Sequence, residues 1–84
     1  MKNKTVINVI GLGYIGLPTA ALLAHRGYHV HGVDTNSHVI NIINSGGIHI
    51  VEPELDVFVS SAVASGRLRA AEKIDPEFLT IEGE

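Results

Sequence analysis

The chain has 84 residues, six basic against nine acidic, a formal net charge of −3, and 45% hydrophobic residues. A chain this short makes one small domain burying only about 60–65% of its unfolded surface, but its apolar content suits a globular core and argues against disorder. There is no block of Lys or Arg and no aromatic stripe to mark a nucleic-acid surface, and the lack of cysteine excludes disulfides, thiolate zinc sites and cysteine nucleophiles within these residues.

The first stretch imitates a signal peptide: Lys2 and Lys4, an apolar run, then Ala20-Ala21-Leu22-Leu23-Ala24. Asn8 and three glycines interrupt the run, so a buried first strand over Thr5–Ile10 is the better reading. No stretch is long enough for a transmembrane span. The chain is therefore read as cytoplasmic, with no membrane partner. Its first strand is nearly continuous in apolar residues, as expected of a parallel strand buried on both faces.

Gly11, Gly13 and Gly16 follow at once and form G-x-G-x-x-G. In a phosphate-binding turn the first glycine permits the tight bend. The second lets backbone approach a pyrophosphate, and the third lets the helix lie close on the sheet. A phosphate there meets unpaired N–H groups and the positive end of the helix dipole. The spacing alone is weak, because kinase glycine-rich loops share it. A β-branched run before the turn and an alanine- and leucine-rich helix after it favour a βαβ unit over a kinase hairpin.

The first helix is expected from about Ile15 to His25. Proline lacks an N–H and fits a first turn, so Pro18 puts the start near Ile15 or Gly16 and leaves the N–H groups of Tyr14 and Ile15 for a ligand. Gly27 closes the helix. Strand two runs from Tyr28 to Asp34, with His29 and His31 on one face. Asp34 lies 18 residues past Gly16 (34 − 16), near the ~20-residue spacing of a carboxylate that binds adenosine ribose hydroxyls. A carboxylate accepts from a diol and repels a 2′-phosphate, so Asp34 favours NAD over NADP. The bland alternative is a helix cap, since Asp34, Thr35, Asn36 and Ser37 are all capping residues.

A second helix is expected over Ser37–Asn44, ending at Ser45-Gly46-Gly47, with Ile48–Val51 as an extended connector. Glu52-Pro53-Glu54 opens a third helix reaching about Ser65, with acids at its positive end. Leu68–Ala71 reads as an edge strand, where Arg69 and the nearby Arg67 discourage further pairing. Phe78–Ile81 reads as the stub of a fourth strand. The expected fold is α/β, a Rossmann-type parallel sheet with flanking helices, incomplete at three strands plus that stub. In the usual 3-2-1-4 order an incomplete fourth strand leaves the edge of strand one open, predicting self-association or partial unfolding. His29 and His31 share a face, but no third ligand follows at metal-binding spacing.

The run Gly11-Leu12-Gly13-Tyr14-Ile15-Gly16-Leu17-Pro18 resembles the N-terminus of the UDP-glucose/GDP-mannose dehydrogenase family of nucleotide-sugar 6-dehydrogenases. Val33-Asp34-Thr35-Asn36, Ile43-Asn44-Ser45-Gly46 and Glu52-Pro53-Glu54-Leu55, which is similar to the family's E-P-x-L, extend the likeness over about residues 5 to 72. Gly47 to Pro53 looks most like the branch acting on UDP-N-acetyl-D-mannosamine. The resemblance implies two successive NAD-dependent oxidations at C6 of a UDP-amino sugar, in surface-polysaccharide synthesis, by homo-oligomers. It implies that Gly11, Gly13, Tyr14, Ile15, Gly16, Asp34 and Asn36 contact NAD. His38 stands near the adenosine ribose where many members have Arg or Lys, and implies a weaker, pH-dependent contact.

The family's catalytic cysteine, with its supporting lysine and asparagine, belongs to later regions of a chain several times longer, so no catalytic residue is expected here. The family's fourth strand runs into V-P-T-P, whereas here Leu79-Thr80-Ile81 meets Glu82-Gly83-Glu84. Residues 1–84 are accordingly read as the N-terminal part of an NAD-binding domain, without catalytic or substrate domains and inactive alone. A FAD or S-adenosylmethionine module, which also uses a glycine turn and an acid, is the competing binding class. A self-associating fragment is the competing interaction class.

Overall fold

The computed structural model describes residues 6–75 and 79–83. Among these the elements are β1 (Val6–Ile10), α1 (Gly16–His25), β2 (His29–Val33), α2 (Ser37–Asn44), α3 (Leu55–Ala64), β3 (Leu68–Ala71) and β4 (Leu79–Glu82). The strands form one sheet in the order β3-β2-β1-β4, and every pairing is parallel. Thr5 and Phe78, at the starts of the expected first and fourth strands, lie outside the described residues.

Side chains alternate across a strand, which gives this sheet two unlike faces. Ile7 and Val9 of β1 join Leu17, Ala20, Ala21 and Ala24 of α1 and Val59 and Ala62 of α3 in one buried cluster. The small residues of α1 allow that close approach. On the opposite face, the register places Asn8 beside His31 and Thr80, with Arg69 beyond His31. This is a polar row covered by chain rather than by a helix. Asn8 is fully buried. Its Nδ2 donates to the Asp75 carbonyl at 2.8 Å, and its Oδ1 accepts from the Asp75 N–H at 3.0 Å. His31 Nε2 lies 2.9 Å from the Lys73 carbonyl oxygen. Lys73 and Asp75, beyond β3, are thus pinned against the sheet.

That pinning corrects the expectation of an open first strand. β4 pairs with β1 along its whole length, Ile7 with Leu79 through Ile10 with Glu82. It is as long as β3, and the Gly83 N–H extends the ladder by donating to the Ile10 carbonyl at 2.7 Å. The edge of β1 is therefore covered, and the basis for self-association through it disappears. Asn8, the polar interruption of the apolar first strand, holds Asp75 through both ends of its amide.

The other edge is closed by a side chain. Asn44 Oδ1 accepts from the Ala70 N–H at 2.8 Å, and its Nδ2 donates to the Ala70 carbonyl at 2.9 Å. One amide stands in for a neighbouring strand, which blunts an edge that could template pairing.

The third helix begins later than its acids and proline suggested. Pro53 and Glu54 form a turn in which the Leu55 N–H donates to the Glu52 carbonyl at 3.2 Å, and Glu54 takes a left-handed conformation with φ 67°. That backbone cannot continue a helix, so α3 starts at Leu55 and keeps only Asp56 as an acid in its first turn. The connector before it is irregular rather than extended, with Ile50 buried in the core and Val51 exposed.

Candidate functional site

The glycine turn lies at the carboxyl ends of β1 and β2, where open α/β sheets bind ligands. β1 stops at Ile10, and Gly11 takes φ 89°, a backbone that a residue with a Cβ adopts only with strain. The Gly11 N–H donates to the Val33 carbonyl at 2.7 Å, which ties the start of the turn to the end of β2. Leu12 is wholly buried beneath it. The chain then enters α1, where the Leu17 N–H reaches the Gly13 carbonyl at 3.0 Å. Tyr14 and Ile15 project from the turn, both more than half exposed.

The amino end of α1 is chemically bare. Its N-cap residue is Ile15, whose side chain caps nothing, and its first turn holds no acid. By contrast α2 is capped by Asn36, and α3 carries Asp56. Among the described residues, the N–H groups of Gly13, Tyr14, Ile15 and Gly16 meet no protein acceptor. Free donors at the positive end of a ten-residue helix suit an anionic oxygen.

Asp34 comes to the same place from the end of β2. Its Oδ2 accepts from the Leu12 N–H at 3.0 Å, and its Oδ1 accepts from the Asn36 N–H at 2.9 Å. The carboxylate therefore bridges the glycine turn and the loop into α2. Two oxygens offer about four acceptor sites, so two remain for donors such as ribose hydroxyls. The capping role that Asp34 might have played belongs to Asn36, whose Oδ1 accepts from the N–H groups of His38 at 2.9 Å and Val39 at 3.4 Å. His38 sits exposed in the first turn of α2. The turn thus brings Gly11, Gly13, Tyr14, Ile15, Gly16 and Asp34 together, while Asn36 and His38 stand one step further along the same rim.

Two glycines outside the fingerprint also meet the turn. A Cβ on Gly32 of β2 would lie 3.0 Å from a Leu12 methyl, and one on Gly83 would lie 2.7 Å from the Gly16 Cα. No spacing rule in the sequence connects either to the motif, since both contacts depend on strand order. Among the described residues no three His, Asp or Glu side chains gather in a metal-binding group. No described helix is long and apolar enough to cross a membrane.

Residues 5–82 match the NAD binding domain of the UDP-glucose/GDP-mannose dehydrogenase family. The chain belongs to this family. It is 62% identical over 66 residues to the UDP-N-acetyl-D-mannosamine dehydrogenase of Salmonella typhimurium, covering 79% of this chain and 16% of that one. It is 57% identical over 70 residues to the NDP-N-acetyl-D-galactosaminuronic acid dehydrogenase of Ralstonia nicotianae, covering 83% and 16%. The UDP-N-acetyl-mannosamine dehydrogenase structure from Staphylococcus aureus superposes with a TM-score of 0.88 at 36% identity, over 93% of this chain and 19% of that one. The chain thus spans about a sixth of the length of the curated relatives it matches. Its matched residues belong to the Rossmann-type NAD-binding domain of the nucleotide-sugar dehydrogenases, and NAD is the cofactor that goes with that domain.

Proposed function

We propose that this chain is the first part of the NAD-binding domain of a UDP-N-acetyl-D-mannosamine 6-dehydrogenase, with the catalytic and substrate domains lying outside residues 1–84. The observation that carries the reading is the Asp34 carboxylate hydrogen-bonded to the Leu12 N–H of the glycine turn. It sets a ribose acceptor beside a phosphate cradle, the two ends of an adenosine diphosphate. The free N–H groups of Gly13 to Gly16 hold the pyrophosphate, and the φ of Gly11 opens the bend that admits it. Asp34 accepts from the ribose hydroxyls and rejects a 2′-phosphate by charge. Asn36 holds Asp34 and α2 in register at the ribose side, and His38 stands at the rim of that subsite.

Bound NAD supplies the hydride acceptor for oxidation of a UDP-amino sugar at C6 to the uronic acid. These residues bind and orient the cofactor. None is catalytic, and with no cysteine in the chain the 84 residues are inactive alone. The choice of N-acetylmannosamine follows the identity with the Salmonella enzyme, and assembly into homo-oligomers belongs to the same reading of the parent enzyme.

Isothermal calorimetry with NAD and NADP, on the wild-type chain and on Asp34→Ala, tests the site. The expected result is NAD binding at millimolar affinity or better, absent for NADP and lost in the variant. A folded wild-type chain that ignores NAD sinks the proposal and leaves the fingerprint as inherited scaffold.

A further inference from the structure

The end of β4 abuts the glycine turn from behind. The Gly83 N–H donates to the carbonyl of Ile10, the residue before Gly11, at 2.7 Å. A Cβ built on Gly83 falls 2.7 Å from the Gly16 Cα, 3.2 Å from the Gly11 oxygen and 3.3 Å from the Gly16 nitrogen. All three are backbone atoms, so no side chain can swing aside to make room. One α-carbon thus packs against both the first and the last glycine of G-x-G-x-x-G. We propose that Gly83, just beyond β4, is a positioning residue for the pyrophosphate turn of this chain, a fourth glycine packed against it from across the sheet. The inference rests on the NAD-binding reading for its consequence, but its geometry can be tested without ligand.

The two sides of β1 differ in what a new methyl would meet. Gly32, on β2, would place a Cβ at 3.0 and 3.1 Å from the two methyls of Leu12, a contact that a side chain relieves by a small rotation. Gly83, the residue after β4, meets only main chain. Its side of the turn cannot yield without moving the amino end of α1, where the N–H groups of Tyr14, Ile15 and Gly16 meet no acceptor among the described residues. A methyl at residue 83 therefore tilts those donors away from the position that a phosphate occupies.

The test uses three variants, Gly83→Ala, Gly32→Ala and Gly66→Ala. Gly66 is the control: its φ is 82°, nothing lies within 4 Å of its Cβ position, and it sits beyond α3, outside the site. Alanine there lowers the melting temperature and leaves NAD affinity alone. In ligand-free amide NMR spectra, Gly83→Ala is expected to shift Tyr14, Ile15 and Gly16 while Val30 and Asp34 stay in place. Its NAD affinity should fall at least about tenfold, against a few-fold loss for Gly32→Ala. Shifts confined to residues 79–83 mean that β4 has peeled off an unmoved turn, and they overturn the proposal. So does NAD affinity that falls equally in Gly66→Ala. If Gly83→Ala does not fold, a wild-type titration decides instead: the Gly83 amide must respond to NAD together with those of Tyr14 to Gly16, and silence there overturns the proposal. A wild-type chain that binds no NAD defeats the proposed function, while the ligand-free spectra still report on Gly83.

Discussion

Asp34 and Asn8 show how single polar side chains organise this chain. Asp34 spends its two hydrogen bonds on backbone N–H groups of the turn and of the loop into α2, so it is anchored before any ribose arrives. Asp34→Ala should therefore weaken the ligand-free fold as well as abolish NAD binding, by about 1–3 kcal/mol for donors left unpaired. Urea denaturation without NAD measures this, and an unchanged midpoint would show that the carboxylate serves the ligand only. Asn8 is buried at β1's centre, and both ends of its amide bond to Asp75. Asn8→Leu keeps the volume but strands those backbone groups, at a cost of about 1–3 kcal/mol. Because Asn8 holds Asp75, hydrogen exchange across residues 79–83 should accelerate in that variant, and unchanged exchange there would show that β4 does not depend on this clamp. The importance of Asp34 was legible from its distance to the glycines. That of Asn8 was not, because its partner lies 67 residues away.

At the scale of elements, local chemistry fixed most boundaries. α1 and α2 begin and end where glycine, proline and capping residues said they would, and each closes with a glycine in the left-handed region. Asn36 supplies the cap of α2, so Asn36→Ala should cost about 1 kcal/mol, read as a lower thermal midpoint; no loss would mean that Ser37 takes over the cap. The element that sequence reasoning misplaced is the start of α3. Proline and two acids are a good N-terminal signature, but Glu54 occupies a left-handed conformation that the pattern does not reveal. The edge of β3 is another case. Arg67 and Arg69 are the charges that the pattern offers against further pairing, and the structure adds Asn44, which occupies the outer N–H and C=O of Ala70. Asn44→Ala should open that edge, and a sedimentation coefficient rising with protein concentration would report it. A strictly monomeric variant would place the guard back on Arg69.

For the whole molecule, ligand and fold are coupled. The turn joins β1, β2, α1 and the end of β4, so a bound dinucleotide braces both halves of the sheet. Binding only to the folded state at 100 times Kd adds about 2.7 kcal/mol, a large increment for a domain this small. NAD should raise the melting temperature of the wild type in a concentration-dependent way, with no rise from NADP. An equal rise in Asp34→Ala would detach the stabilisation from the ribose contact.

The sequence by itself determined the βαβ order, the glycine turn, the acid that follows strand two and the family to which these belong. The first three are written in spacing and periodicity within about 30 residues, where local backbone sterics and hydrophobic pattern act, and the family in a resemblance of motifs over about residues 5 to 72. The tertiary structure alone decided that the fourth strand pairs with β1 along its whole length, that Asn8 and Asn44 serve as clamps, and that Gly83 sits against Gly16. These depend on which strands become neighbours in the sheet. That is a property of packing between residues far apart in the chain, and no local pattern records it.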